Sequence, residues 1–362
     1  MTLDEEYMGM ALKEAIKGGG HVNPNPQVGA VIVKDGRVIA RGHHERFGGP
    51  HAERMAFAHC EADPRGATLY VTLEPCCHTG KTPPCTDIIL EKGIARVVVG
   101  SRDPNPLVDG GGIALLRSHG VAVEAGVMKE VCDAINRPFF HYITHRTPWV
   151  QMKVAMTADG HIATRTGASR WVSGEESRAQ VQELRGRLAG IMVGVGTVLT
   201  DDPLLTCRLP GGHNPVRIIC DTHLRTPLEA QVVKTAGEVP TLIATAEDGG
   251  PKAEALSRAG CTVLPVGAGP GGVDLKALMV ELGRRGIDSV LLEGGAGLNE
   301  SALRAGIVQA LRIYLAPKIF GGKGAPSPVG GLGVALPDEA WRLKNPAVTM
   351  VGEDIRVDWE VL

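Results

Sequence analysis

Four side chains near the N-terminus have the types and spacing for metal-assisted hydrolysis. The chain reads His51-Ala52-Glu53, then Pro75-Cys76-Cys77-His78-Thr79-Gly80-Lys81-Thr82-Pro83-Pro84-Cys85. One histidine and two cysteines can hold zinc by three protein ligands and leave a fourth position open for water. The natural set is His51, Cys76 and Cys85, with Cys77 and His78 as competing ligands. Glu53 follows His51 by two positions, so the two do not share a helix flank. Both can still reach one ion if it lies off the N-terminal end of the helix, where the dipole favours hydroxide and thiolate. Glu53 then reads as the catalytic proton carrier rather than a ligand. This is the chemistry of hydrolytic deamination of a base-like ring, whose signature is H-x-E followed by P-C-x-x-C. Here eight residues, not two, separate Cys76 from Cys85. The plainer alternative is a structural zinc, which usually closes with four protein ligands.

Several elements must deliver these residues. Val28 to Val33 reads as a strand, Lys34-Asp-Gly-Arg37 as a hairpin turn and Val38 to Ala40 as its return. His51 to Glu61 reads as a helix, and Thr68 to Leu73 as a strand that delivers Cys76 at its exit. Thr86 to Glu91 reads as a short helix ended by Gly93, and Ala95 to Val99 and Val121 to Glu124 as further strands. Both ligand motifs thus fall at strand-to-helix joints, where open α/β sheets place ligands. A change of pattern near Asn136 to Pro148 starts a second alternating series. Its expected strands are Trp149 to Ala155, Ile191 to Val195, Val216 to Cys220, Thr241 to Ala244 and Ser289 to Leu292. Ser173-Gly-Glu-Glu176 has the form of a capping box opening a helix through Leu188. Asp274 is expected to cap a helix through Arg285. Ile355, Val357, Trp359 and Val361 alternate with polar residues as a half-exposed terminal strand.

Composition narrows the function classes. At 362 residues with 43% hydrophobic content, the chain has room for two packed domains. The formal net charge is −2 and aromatics make up 4%. That leaves neither the basic footprint nor the stacking platforms of a nucleic-acid binder. No apolar run has the length of a membrane span. The N-terminus, with Tyr7, Met8, Ala11, Leu12, Ala15 and Ile16 at helical spacing, reads as a folded helix rather than a signal peptide. Eight scattered cysteines suggest no disulfide framework, which implies a reducing, cytoplasmic home.

The residues so far, together with Asn25-Pro-Gln-Val-Gly29, Gly42-His-His44 and Asp103-Pro-Asn-Pro106, resemble the deaminase half of the bifunctional deaminase–reductase family of riboflavin biosynthesis. In that family the His78 to Cys85 insert accounts for the long cysteine spacing and belongs to the substrate site. The resemblance implies zinc on His51, Cys76 and Cys85, with Glu53 as proton shuttle. It implies substrate contacts from Asn25, His44, Lys81, Asp103 and Asn105. Cys77 stands where many relatives carry a hydroxyl residue.

Three later stretches are similar to the reductase half of the same family: Met152 to Ala163 leading to Gly167-Ala-Ser-Arg-Trp-Val-Ser173; Gly194 to Pro203 preceding Leu205-Thr-Cys-Arg208; and Leu291-Leu-Glu-Gly-Gly-Ala-Gly-Leu-Asn299. Asp221 to Pro227 is a further match. By itself the third stretch is a Gly-rich turn whose amides and helix start could hold an anion. Gly194-x-Gly196 lacks the context of a dinucleotide-binding fingerprint. The resemblance implies NADPH contacts from Ala155, Trp171, Thr197, Asp201, Thr222 and the Gly294 to Ser301 loop, including Gly295, Ala296 and Gly297. It implies substrate contacts from Ser169, Arg185, Leu205, Arg208 and Glu293, the two arginines suiting phosphate by their planar fork. Lys153 is a candidate proton donor. Thr157-Ala158 replaces the Ser-Leu common before Asp159-Gly160.

The implied fold is α/β throughout, with a cytidine-deaminase-like three-layer domain over 1–146 and a dihydrofolate-reductase-like domain over 147–362. The implied reaction takes a phosphorylated pyrimidine, with Zn2+ and NADPH as cofactors, no nucleic-acid or membrane partner, and a homo-oligomeric assembly. The rival within enzymes is a single-activity deaminase whose C-terminal domain is non-catalytic. Intact Glu293-Gly-Gly-Ala-Gly297 and Thr197-x-x-x-Asp201 argue against it.

Overall fold

The computed structural model describes residues 1–79 and 83–362. The chain divides into two compact units, Met1–Arg146 and Thr147–Leu362.

In the first unit, β1 (Gly29–Lys34) and β2 (Arg37–His43) form a hairpin. Its turn residues Asp35 and Gly36 both have positive φ, 50° and 73°, as a two-residue turn compatible with strand twist requires. Beside β1 run the parallel strands β3 (Thr68–Leu73), β4 (Arg96–Ser101) and β5 (Ala122–Ala125), in the order β2-β1-β3-β4-β5. The helices are α1 (Leu3–Ala15), α2 (Ala52–Ala58), α3 (Cys85–Glu91), α4 (Gly111–Ser118), α5 (Lys129–Ile135) and α6 (Arg137–His145). Alternate strand residues feed opposite faces. Ile32, Leu69, Val71, Val97 and Val99 pack with Ala52, Ala56, Ile89 and Leu116 on one side. Val31, Val33, Tyr70 and Val98 pack with Met8, Ala11, Leu12 and Cys132 on the other. The result is three layers, helices on both faces of a sheet. The second helix is shorter than the sequence suggests: it covers Ala52–Ala58, with His51 as its N-cap residue.

The second unit is built on β6 (Trp149–Thr157), β7 (Gly190–Gly194), β8 (Val216–Cys220), β9 (Thr241–Thr245), β10 (Thr262–Pro265), a two-stranded ribbon of β11 (Ala268–Gly269) and β12 (Gly272–Val273), then β13 (Ser289–Leu292), β14 (Ala310–Ala316), β15 (Leu343–Val351) and β16 (Asp354–Val361). Its nine-stranded sheet runs β10-β9-β8-β7-β13-β6-β14-β16-β15. The first seven strands of that order are parallel, and β16 and β15 close the sheet antiparallel. The helices are α7 (Glu175–Arg187), α8 (Val195–Asp201), α9 (Gln231–Lys234), α10 (Pro251–Arg258), α11 (Leu275–Arg284) and α12 (Ala296–Arg304). Strands buried on both faces read as continuous apolar runs, and here Met192, Ile218 and Val290 face one core while Ile191, Ile219 and Ile243 face another.

Two expected helix caps fare differently. Asp274 caps α11 by accepting from the Lys276 and Ala277 N–H groups at 2.9 and 3.0 Å. The Ser173 capping box does not form. The N-cap of α7 is Gly174, with no side-chain cap of its own. Asp354, buried at the start of β16, takes that place by accepting from the Gly174 N–H at 2.7 Å and the Ser177 hydroxyl at 2.6 Å. Among the described residues, no helix is long and apolar enough to cross a membrane.

Candidate functional site

Three element ends meet in the first unit. His51 precedes α2, Cys76 leaves β3, and Cys85 opens α3. The His51 Nδ1 lies 3.5 Å from the Cys76 Sγ and 3.4 Å from the Cys85 Sγ. All three ligand atoms lie within 4.8 Å of one another, and no other such group occurs among the described residues. Cys77 instead turns its Sγ towards the Leu107 carbonyl, 3.9 Å away. The close approach of α2 to the hairpin depends on Gly42: a Cβ there would sit 2.2 Å from the Ala56 backbone nitrogen.

The electrostatics suit a thiolate-binding metal. The neighbouring Cys85 thiol draws Cys76 down to about 4, against burial, with His51 adding to the effect. A low thiol pKa beside a histidine marks a cysteine ready to ligate. Soft sulfur plus imidazole in a three-ligand set fits zinc with an open position. Glu53 is 3% exposed, and burial pushes its carboxyl above the ordinary range. That is the direction that lets a carboxyl group carry a proton near neutral pH.

A cavity of about 410 Å³ opens over His51, Glu53 and Cys76, lined also by Asn25, His44, His78, Asp103 and Asn105. The sequence-derived deaminase contacts thus converge, except Lys81, which lies outside the described residues. His44 is held at both nitrogens. Its Nδ1 is 2.9 Å from the Pro50 carbonyl and its Nε2 3.1 Å from the Asn25 amide nitrogen. Burial lowers its pKa. Those partners assign the neutral tautomer, with Nδ1–H donating to Pro50 and Nε2 accepting from Asn25. Asp103 accepts the Asn105 N–H at 2.9 Å, and burial pushes its carboxyl up to about 6. His78 is no part of the ligand group; its buried Nδ1 has no partner among the described residues, and the residue lines the cavity. Sequence reasoning missed Asn136, whose amide exchanges two hydrogen bonds with the Gln27 backbone at 2.8 and 3.0 Å. That pair fixes the segment carrying Asn25. Nothing local signals it, because the partners are far apart in sequence.

In the second unit the reductase residues gather at the carboxyl ends of the parallel strands, the edge where open sheets bind ligands. Ala155 lies late in β6, Thr197 and Asp201 on α8 after β7, and Thr222 just after β8. Glu293, Gly294 and Gly295 join β13 to α12, which opens with Ala296 and Gly297 and whose N-cap Gly295 has no side-chain cap. Uncapped amides at a helix start leave donors for an anionic group, which suits a dinucleotide phosphate. The exposed Ser169 to Trp171 loop is tied to the same edge. The Arg170 guanidinium donates to the Asp201 carbonyl at 3.3 Å, and Lys318 donates to the Trp171 and Val172 carbonyls at 2.9 and 2.8 Å. Arg178 stacks its guanidinium 4.7 Å from the Trp171 ring centroid.

Glu293 is the electrostatic centre of this edge. Its two oxygens receive the Arg185 fork at 2.8 and 3.2 Å, and the Lys153 Nζ lies 3.0 Å away. Burial works against its ionisation, yet Lys153 and Arg185 together hold the carboxyl down at about 2. Arg185 also donates to the Thr206 carbonyl at 3.3 Å. Among the described residues, three of its five N–H donors are therefore engaged by protein. Arg208 is exposed, with its backbone N–H fixed on Gln182 at 2.9 Å.

Comparison with known proteins follows the same division. A family model described as the RibD C-terminal domain matches residues 148–357. Riboflavin biosynthesis protein RibD of Actinobacillus pleuropneumoniae is 52% identical over 99% of this chain and 96% of its own. The chain belongs to the RibD family. RibD of Aquifex aeolicus is 43% identical over 98% of this chain and 97% of its own. A solved structure from Thermotoga maritima, described as a diaminohydroxyphosphoribosylaminopyrimidine deaminase/5-amino-6-(5-phosphoribosylamino)uracil reductase, is 38% identical with a TM-score of 0.86, covering 99% of both chains. A RibD structure from Acinetobacter baumannii is 32% identical with a TM-score of 0.88, again over 99% of both. The cytidine and deoxycytidylate deaminase zinc-binding region matches residues 1–101. That span contains His51, Glu53, Cys76 and Cys85, and the RibD C-terminal match contains every residue of the Glu293 edge.

Proposed function

We propose that the chain is a bifunctional enzyme of riboflavin biosynthesis. Its 1–146 unit deaminates 2,5-diamino-6-(5-phosphoribosylamino)pyrimidin-4(3H)-one. Its 147–362 unit reduces the ribosyl side chain with NADPH to give 5-amino-6-(5-phosphoribitylamino)uracil. The observation that carries the reading is the clustering of His51, Cys76 and the buried Cys85 beside a cavity lined by His51, Cys76, Glu53, His44, Asn25, Asp103 and Asn105.

In the deaminase unit, His51, Cys76 and Cys85 would hold a zinc ion, which would supply a water acidified towards neutrality. Glu53 takes a proton from the attacking water and delivers one to the leaving amine, the role its buried carboxyl is tuned for. Neutral His44, oriented by Pro50, holds Asn25 against the ring. Asp103 and Asn105 receive its polar edge, and Lys81 is assigned to the phosphate end.

In the reductase unit, bound NADPH supplies the hydride. Ala155, Trp171, Thr197, Asp201, Thr222 and the Gly295 to Gly297 amides are assigned to the cofactor. Ser169, Arg185, Leu205, Arg208 and Glu293 are assigned to substrate. Lys153, already beside Glu293, is assigned as the proton source. All eight cysteines are free thiols, in keeping with a cytoplasmic enzyme. A homo-oligomer belongs to the same reading.

The test is incubation of purified protein with the diaminopyrimidine substrate, followed by mass analysis. Without NADPH the product should carry one amine fewer and one oxygen more. With NADPH it should gain two further hydrogens. Absence of the second change in a protein that performs the first would favour a single-activity deaminase.

A further inference from the structure

Glu74 follows β3 directly and stands two residues before Cys76, and nothing in the deamination chemistry above uses it. The residue is 4% exposed. A buried carboxylate needs compensation, and here it comes from main-chain donors. The Oε2 accepts from the Asp103 N–H at 3.3 Å and the Gly110 N–H at 3.1 Å, and the Oε1 from the Ile113 N–H at 3.1 Å. Gly110 is the N-cap of α4, in the left-handed region at φ 84°, and has no side chain to cap with. Glu74 therefore supplies, from a strand far away in sequence, the cap that α4 lacks locally. Its own N–H donates to the Ser101 carbonyl at 2.9 Å, where β4 ends. Both ends of the segment from Asp103 to Gly110 thus hang on one side chain. The internal bonds of that segment, Asn105 N–H to Asp103 and Leu107 N–H to Asn105, shape a turn without tying it to the ligand turn.

We propose that Glu74 is a positioning residue for deamination: it holds Asp103 and Asn105 at a fixed place relative to the metal-ligand turn at Pro75-Cys76. It acts through the main chain: its side chain borders the cavity, but both carboxylate oxygens are occupied by the three main-chain donors. The inference rests on the deaminase reading and on the assignment of Asp103 and Asn105 to substrate.

Glu74→Gln keeps the size of the side chain but sets an amide NH2 against backbone donors. Zinc should stay near one per chain, and reduction of the pre-deaminated intermediate should be unchanged. The deaminase KM should rise about tenfold or more, with a smaller fall in kcat, as for a lost charge-assisted contact. Combining Glu74→Gln with Asp103→Asn should cost little beyond Asp103→Asn alone, because one acts through the other. A fully additive double variant, or an unchanged KM, overturns the inference. An inert Asp103→Asn in a deaminating parent overturns the substrate assignment and this inference with it. Amide hydrogen exchange on the parent protein decides independently of any variant or assay. The Asp103, Gly110 and Ile113 amides should be slow to exchange in the parent. Exchange as fast as in exposed loops overturns the positioning role even if deamination is confirmed.

Discussion

Glu53 is buried and Glu293 largely so, and their surroundings push the two carboxyl groups in opposite directions. Burial raises the Glu53 carboxyl, which favours its taking up a proton. Removing it takes away a proton carrier and no ligand. Glu53→Ala should retain near-stoichiometric zinc, measured by metal analysis, while deamination falls about 10²- to 10⁴-fold. Loss of the metal with Glu53→Ala would overturn its role. Glu293 is held at about 2 by Lys153 and Arg185, below its ordinary 4.5. A carboxyl whose folded-state pKa is depressed contributes stability above the unfolded value and loses it as pH falls towards the folded one. The interval between 4.5 and about 2 corresponds to about 3 kcal/mol. Denaturant unfolding of the parent should therefore weaken progressively from about pH 4.5 downwards. In Glu293→Gln that part of the acid dependence should vanish. The variant should also be about 3–5 kcal/mol less stable at neutral pH, because two largely but not fully buried cations lose their partner.

Helix placement sets the metal geometry. The α2 helix brings His51 to the cysteines only because Gly42 leaves room for its backbone. In Gly42→Ala the new methyl would sit 2.2 Å from the Ala56 nitrogen and 2.6 Å from the Ala52 carbonyl oxygen. Backbone atoms cannot rotate away, so α2 must shift. The expected cost is about 3 kcal/mol or more, at the upper end for overpacking. A lower Tm together with reduced zinc content would show it, and a variant with parental zinc and Tm would refute it. The same elements show what can be read from a sequence. The hairpin turn at Asp35-Gly36 and the Asp274 cap are local, and each follows from residue types a few positions apart. The ligand set was legible because metal ligation restricts residue type so strongly. The α7 cap was misread, since Ser173 and Glu176 satisfy the local pattern while Asp354 takes the amide. The Arg185–Glu293 pair and the Glu74 network were invisible for the same reason. Their partners meet only after the sheet has formed, and no spacing rule connects them.

The two units have separate sheets and separate cores, so the two chemistries should be separable. Glu53→Ala should still reduce the pre-deaminated intermediate with NADPH at the parental rate, followed by absorbance of the cofactor. Loss of both activities in a well-folded variant would argue for one shared site. The strand order of the second unit has another consequence, for synthesis. Its first strand, β6, lies inside the sheet, but both neighbours come late: Val150 pairs with Val290, and Met152 with Leu311. On the ribosome the first unit can complete its sheet by Ala125 and its helices by His145. The Val150, Met152 and Val154 strand must then wait for residues 289 to 316 with both edges unpaired. Such long-range parallel pairing slows folding, and an apolar strand left open is exposed to pairing with other chains. A nascent chain that stops before Ser289 would carry a complete deaminase joined to a sheet without its centre, so premature termination would abolish reduction first and leave an aggregation-prone deaminase behind.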